Sequence, residues 1–182
     1  MQKTLPTRKK IRLEGYDYSQ AGAYFVTLCV KGKHDLFGQV VGAVVNRPSY
    51  VQLTDIGKII EAEIHLMQMI RKNVVVPKYI IMPNHIHMIV LIGEGRRLST
   101  ENGRLSTENG RLSTENGRLS TAPTLSEIVR LWKREISKQI GYSIWQKSFH
   151  DRIIRSEAEY QKIWQYIDEN PALWAEDCYY TK

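Results

Sequence analysis

The chain has 182 residues, 42% hydrophobic and 25% charged, with a net charge of +7. That length can bury one core, and the composition is that of an ordinary globular protein. No apolar run is long enough to span a bilayer, no leader-like segment opens the sequence, and Cys29 and Cys178 stand far apart. Those features argue against a membrane protein, a secreted disulfide scaffold and a cysteine zinc site, so a cytoplasmic protein is expected.

The charge is uneven. Residues 1–93 carry twelve Lys/Arg against six Asp/Glu, whereas residues 125–182 carry nine of each. A positive field on the N-terminal part suits a polyanion such as nucleic acid, although a solvated basic arm would look the same. Residues 1–22 read as that arm. Arg8, Lys9, Lys10 and Arg12 could meet phosphates, and Tyr16 could stack on a base or pack on the domain edge.

Tyr24 to Val30 is β-branched and aromatic, hence a first strand, and Leu36 to Val45 suggests a short second one or a hairpin arm. Thr54 is a candidate N-cap for a helix over Asp55–Ile70, in which Ile56, Ile59, Ile60, Ile64 and Met67 recur at three- and four-residue steps. His65 lies beside that stripe and reads as a boundary histidine. Val74–Met82 and His85–Ile92 are further strands, broken at Pro83, which cannot donate to a ladder.

Residues 96–123 repeat Arg-Leu-Ser-Thr-Glu-Asn-Gly at period seven. With one apolar residue and one glycine per repeat, they offer no coiled-coil seam. They read as a flexible insertion in a single domain spanning 1–182, with no part in the chemistry.

Thr124 and Glu127 form a capping box for the next helix. Its apolar stripe is Leu125, Ile128, Val129, Trp132 and Ile136. Arg130, Lys133, Arg134 and Lys138 make the other side basic, a candidate DNA-facing surface or simply a solvated one. Gly141 ends the helix. A short strand follows around Phe149–Ile154, and Ser156 with Glu159 caps a last helix over Glu157–Asn170, stopped by Pro171. Tyr160, Ile163, Trp164 and Ile167 form its apolar side. Lys162, Tyr166 and Asn170 share another stripe at four-residue steps.

The most informative stretch is His85-Ile86-His87. Alternate residues of a strand share a face, so the two imidazoles point the same way with Cα atoms roughly 6.7 Å apart. Ile86, Met88, Val90 and Ile92 make the opposite face equally apolar, so the strand is central and covered on both sides. Two hydrogen-bonded core histidines would satisfy this pattern. A metal would need further ligands from elsewhere. The Asn170 amide oxygen is one candidate, and Tyr166 lies one helical turn before it. A tyrosine beside a divalent ion can attack a phosphodiester, leaving a covalent phosphotyrosine and a free 3′ hydroxyl. The linkage keeps the bond energy, so strands can be rejoined without ATP.

Met82-Pro83-Asn84-His85-Ile86-His87 resembles the His-hydrophobe-His motif of the single-tyrosine HUH transposases. Ile11-Arg12-Leu13-Glu14-Gly15-Tyr16, Ala23-Tyr24-Phe25-Val26-Thr27, Trp145-Gln146 with Ile153-Ile154-Arg155, and Tyr166-Ile167-Asp168-Glu169-Asn170-Pro171 extend it. In that order they resemble the REP-associated tyrosine transposases over nearly the whole chain except the repeats. The resemblance implies an α+β, ferredoxin-like domain with an antiparallel sheet. It implies hairpin-directed cleavage and joining of single-stranded DNA with Mg²⁺ or Mn²⁺, by a monomer or homodimer. His85, His87 and Asn170 are then metal ligands and Tyr166 the nucleophile. Phe149-His150 departs from the pattern, where relatives more often carry paired tyrosines. The alternative from another class is a non-catalytic module that binds single strands on the same fold. A rolling-circle initiator or relaxase shares the chemistry but would need further domains.

Overall fold

The computed structural model describes residues 20–42, 49–93 and 124–180, with the backbone alone of 99–101 and 104–106. Arg8, Lys9, Lys10, Arg12 and Tyr16 lie outside the described residues.

Four strands build the main sheet: β1 (Gly22–Cys29), β4 (Val74–Ile81), β5 (His85–Ile92) and β8 (His150–Ile154). They lie in the order β4-β5-β1-β8, and every neighbouring pair is antiparallel. Between β1 and β4 the chain makes a hairpin, β2 (Gly38–Val41) with β3 (Tyr50–Leu53), and then helix α1 (Asp55–Ile70). Helix α2 (Leu125–Ile140) joins β5 to β8, and α3 (Glu157–Glu169) follows β8. The four sheet strands with α1 and α2 give the β-α-β-β-α-β order of a ferredoxin-like α+β domain, with α3 added.

Three expectations shift. Of the expected Leu36–Val45 the strand covers Gly38–Val41, with 43–45 outside the described residues, and it is one arm of a hairpin whose other arm, Tyr-Val-Gln-Leu, is too short to show a period. Phe149 packs beside β8 rather than within it. In the repeats, Ser99–Glu101 (β6) and Arg104–Ser106 (β7) pair as a two-stranded ribbon, where no regular element was expected.

All eight residues of β5 are buried because both sheet faces are covered. Ile86, Met88, Val90 and Ile92 share a face with Tyr24, Val26 and Leu28 of β1. There they meet Ile60 and Ile64 of α1 and Leu125, Ile128 and Trp132 of α2. Ile89 and Leu91 point the other way, with Ala23 and Ile154, onto Tyr160, Ile163 and Ile167 of α3. Covering a sheet on both sides is what lets an unbroken apolar strand sit in the middle without exposing it to water.

The caps locate the helices. Thr54 Oγ1 accepts from Gly57 N at 3.2 Å, Thr124 Oγ1 from Glu127 N at 3.3 Å, and Ser156 Oγ from Glu159 N at 3.2 Å. Gly141 ends α2 in the left-handed region at φ 89°, where glycine carries no Cβ penalty. Gly57 lets α1 start hard against the hairpin: a Cβ there would lie 2.1 Å from the Phe37 carbonyl oxygen.

Candidate active site

The histidines occupy the one end of the α3 face that the α3 apolar stripe does not fill. The strand ladder sets their neighbours: in the β1–β5 register His87 lies opposite Thr27, and His85 opposite Cys29. Directly opposed residues on one face are close enough for their side chains to bond. His87 Nδ1 is 2.9 Å from Thr27 Oγ1. His85 Nδ1 is 3.1 Å from Asn84 Oδ1.

These bonds assign protons. An amide oxygen only accepts, so His85 carries its hydrogen on Nδ1 and presents a bare Nε2. The Thr27 hydroxyl can donate or accept, so it serves either tautomer of His87. The two Nε2 atoms stand 3.0 Å apart. Without an ion that contact requires the hydrogen on His87 Nε2. An ion on Nε2 would place the hydrogen on Nδ1, with Thr27 accepting it. Both imidazoles are held neutral at ordinary pH: burial, reinforced by the Lys33 charge, pushes His85 down to about 3. Burial and the neighbouring His85 push His87 down to about 3, against an opposing pull from Asp177. Neutral rings with free lone pairs are what a cation binds.

Tyr166 enters from α3. Its Oη lies 3.2 Å from His87 Nε2, and its ring meets Phe25 edge-on. Burial raises its pKa above 10, and the Asp177 carboxylate adds to the rise, while a hydrogen bond to Asn170 opposes it. The resting group is therefore a phenol. Asn170 follows one turn later as the C-cap of α3, 2% exposed. Its Nδ2 donates to Asp177 Oδ2 at 3.4 Å, while its Oδ1 is buried without a hydrogen-bond partner. An orphaned amide oxygen is costly in the folded state and is the kind of donor a hard cation satisfies.

Asp177 is the residue that sequence reasoning missed. The segment after Pro171 turns back over the histidines, with Trp174 and Tyr179 against the His85 ring at centroid distances of 5.8 and 4.5 Å. It delivers Asp177 Oδ2 to 3.9 Å from His85 Nε2. Single donor atoms of His85, His87 and Asp177 all lie within 4.8 Å of one another, a group that could hold a metal ion. A tail whose regular structure is one 3-10 turn over Trp174–Glu176 gives no periodic signal, so Asp177 could be found only by asking which carboxylates follow Asn170.

Other expectations separate from the site. α2 packs on the opposite sheet face from the histidines. Arg130 and Arg134 are exposed there and pair with Glu127 and Glu135 on their own helix. Lys133 is not part of that surface: its Nζ donates to the carbonyls of Gln146 and Ser148, at 3.1 and 2.9 Å, and lies over Trp145. Lys162 is exposed. His65 contacts Tyr79, as a boundary histidine would. Among the described residues no helix is long and apolar enough to cross a membrane.

No protein-family model matches the chain. An uncharacterized protein of Haemophilus influenzae is 30% identical over 179 residues, covering 96% of this chain and 93% of that protein. A solved REP-associated tyrosine transposase, bound to a REP hairpin, superposes with a TM-score of 0.56 at 19% identity. The match covers 88% of this chain and 73% of that one. At that identity the likeness is one of fold. The chain therefore belongs to one family with the Haemophilus protein and carries the α+β fold seen in a REP-associated tyrosine transposase.

Proposed function

We propose that this protein cleaves and rejoins single-stranded DNA, at hairpins, through a 5′-phosphotyrosine on Tyr166. The observation that carries the reading is the meeting of Tyr166 Oη with His87 Nε2 at 3.2 Å, one helical turn before Asn170, whose Oδ1 is buried without a partner. A phenol, two neutral imidazoles and a carboxylate come together within one chain. His85, His87 and Asn170, with Asp177 as a fourth donor, would hold Mg²⁺ or Mn²⁺. An ion with mixed nitrogen and oxygen donors supplies Lewis-acid neutralisation of the phosphoryl oxygens.

The chain's own residues do the rest. Tyr166 Oη forms a bond to phosphorus as the P–O3′ bond breaks, in line with it. The phenol proton passes to water, and O3′ takes a proton from water to leave as a hydroxyl. The raised pKa of Tyr166 means that the proton must leave during attack. With His87 Nε2 given to the ion and Nδ1 to Thr27, the phenol is held through its ring. Phe25, edge-on to the phenol and stacked on His87 with centroids 5.2 Å apart, fixes the ring plane. The reverse reaction uses the same atoms with a second 3′ hydroxyl. The known partner of the structural neighbour, a REP hairpin, motivates the choice of DNA substrate.

The test is covalent trapping of the full chain with a single-stranded hairpin oligonucleotide and Mn²⁺, read on a denaturing gel. A protein–DNA adduct is expected for the wild type and not for Tyr166→Phe. Hairpin binding without an adduct, across oligonucleotides and with either metal, would sink the cleavage reading and leave a binding module.

A further inference from the structure

Lys33 belongs to no element of the proposed reaction, yet the fold spends conformational strain on placing it. It sits in the loop after β1 at φ 56°, the one described non-glycine residue at positive φ. A side-chain-bearing residue in that region is held there only when its surroundings fix it. Here they do. Lys33 N donates to Val30 O at 3.2 Å, and Lys33 O accepts from Asn84 Nδ2 at 3.3 Å. Asn84 is also the residue whose Oδ1 orients His85, and its carbonyl accepts from Val30 N at 2.9 Å. The lysine backbone and the first histidine are thus fastened to the same amide side chain.

The side chain reaches the tail segment that packs on His85. Lys33 Nζ donates to the Cys178 carbonyl oxygen at 3.0 Å and stands 5.6 Å from the centre of the Tyr179 ring, whose centroid is 4.5 Å from that of His85. Both of these partners of the ammonium are uncharged. An ammonium held by a peptide carbonyl and the face of a ring fits an anionic ligand better than either.

We propose that Lys33 is a catalytic residue that binds a non-bridging oxygen of the scissile phosphate, in the place now filled by the Cys178 carbonyl oxygen. This rests on the strand-transfer reading above. As Tyr166 Oη bonds to phosphorus and the pair of the P–O3′ bond leaves with O3′, negative charge persists on the equatorial oxygens. The ammonium neutralises it from the loop after β1.

The experiment measures single-turnover adduct formation with Mn²⁺ on the hairpin that the wild type cuts. The scissile phosphate is either all-oxygen or one phosphorothioate diastereomer. Lys33→Met is expected to slow the all-oxygen reaction by about a hundredfold, the scale of losing one preorganised charge donor. Lys33→Arg should recover most of that rate. Mn²⁺ affinity, read by calorimetry, should change less than about twofold, and melting temperature should hold because the side chain is exposed. The penalty for sulfur at one diastereomer should shrink in Lys33→Met, a signature that a merely structural lysine would not give. An unchanged or faster reaction in Lys33→Met would assign the residue to tethering the tail and overturn the proposal, as would equal loss in the Met and Arg variants. Absence of any adduct with the wild type removes the cleavage reading itself, and this role with it.

Discussion

The two faces of the sheet share the same backbone and differ in what that backbone is made to hold. On the α1/α2 face, Ile86, Met88, Val90 and Ile92 join an apolar cluster with Ile60, Ile64, Leu125 and Ile128. On the α3 face the same strand places Ile89 and Leu91 against α3, but fills its other half with His85 and His87. Every polar atom there needs a partner, and the partners come from four places: Thr27 on β1, Asn84 at the β4–β5 turn, Tyr166 and Asn170 on α3, and Asp177 on the tail. One face stabilises. The other holds a chemical arrangement at some expense to stability, shown by the unpartnered Asn170 oxygen.

The largest expected effect comes from exchanging those roles. His87→Ala removes the ring that contacts His85, Thr27 and Tyr166 together. Adduct formation should fall below detection on the gel, and Mn²⁺ binding by calorimetry should be lost. Because the ring is buried neutral, the fold should survive, as judged by circular dichroism. Met88→Ala, one residue on, should do the reverse. Truncating a fully buried methionine costs about 2–5 kcal/mol, read as a lower melting temperature, while Mn²⁺ affinity per folded molecule stays the same. A Met88 variant that lost metal binding, or a His87 variant that failed only by unfolding, would erase the division between the faces.

Acid should separate them next. Burial holds both imidazoles at about 3, against 6.5 in the unfolded chain. Between those values the unfolded chain binds protons that the folded one refuses, so stability present above pH 6.5 is lost as pH falls toward 3. Denaturant melts of the metal-free protein should show this decline, and His85→Gln with His87→Gln should flatten it. Decline of the same depth in the double variant would place the acid sensitivity in other groups.

The division was only partly legible beforehand. α1 and β5 are visible to the residue in the sequence because a capped amphipathic stripe and an unbroken apolar strand are local signals. His85, His87, Tyr166 and Asn170 could be put on shared faces by periodicity alone, since strand and helix periods are fixed. What could not be read is contact between segments with no period of their own. Asp177 sits in an irregular tail, and Lys33 in a three-residue turn whose positive φ leaves no mark in Lys31-Gly32-Lys33 beyond its glycine. The basic side of α2 is less uniform than its sequence suggests. Its helical spacing is regular, but spacing does not say that Lys133 turns inward to cap the Gln146 and Ser148 carbonyls.

Thr27→Val gives the smallest effect and the sharpest one. The hydroxyl is buried, stands across the ladder from His87, and is the only described partner of that ring's Nδ1. Valine has nearly the same shape, so packing against β5 is kept and the melting temperature of the metal-free protein should stay within a few degrees. With an ion on Nε2, however, His87 must carry its hydrogen on Nδ1, and valine leaves that N–H unpaired in a dry site. The expected cost is a ten- to hundredfold loss of Mn²⁺ affinity, the usual range for removing a partner behind a ligating histidine. Thr27→Ser should restore it, because only the hydroxyl matters. Nitrogen-15 shifts of the His87 ring would report the tautomer directly: the hydrogen should move from Nε2 to Nδ1 on adding Zn²⁺ as a diamagnetic stand-in for Mn²⁺. If valine left both affinity and tautomer unchanged, the polar half of this face would need no hydroxyl from β1, and the difference between the two faces would reduce to the histidines themselves.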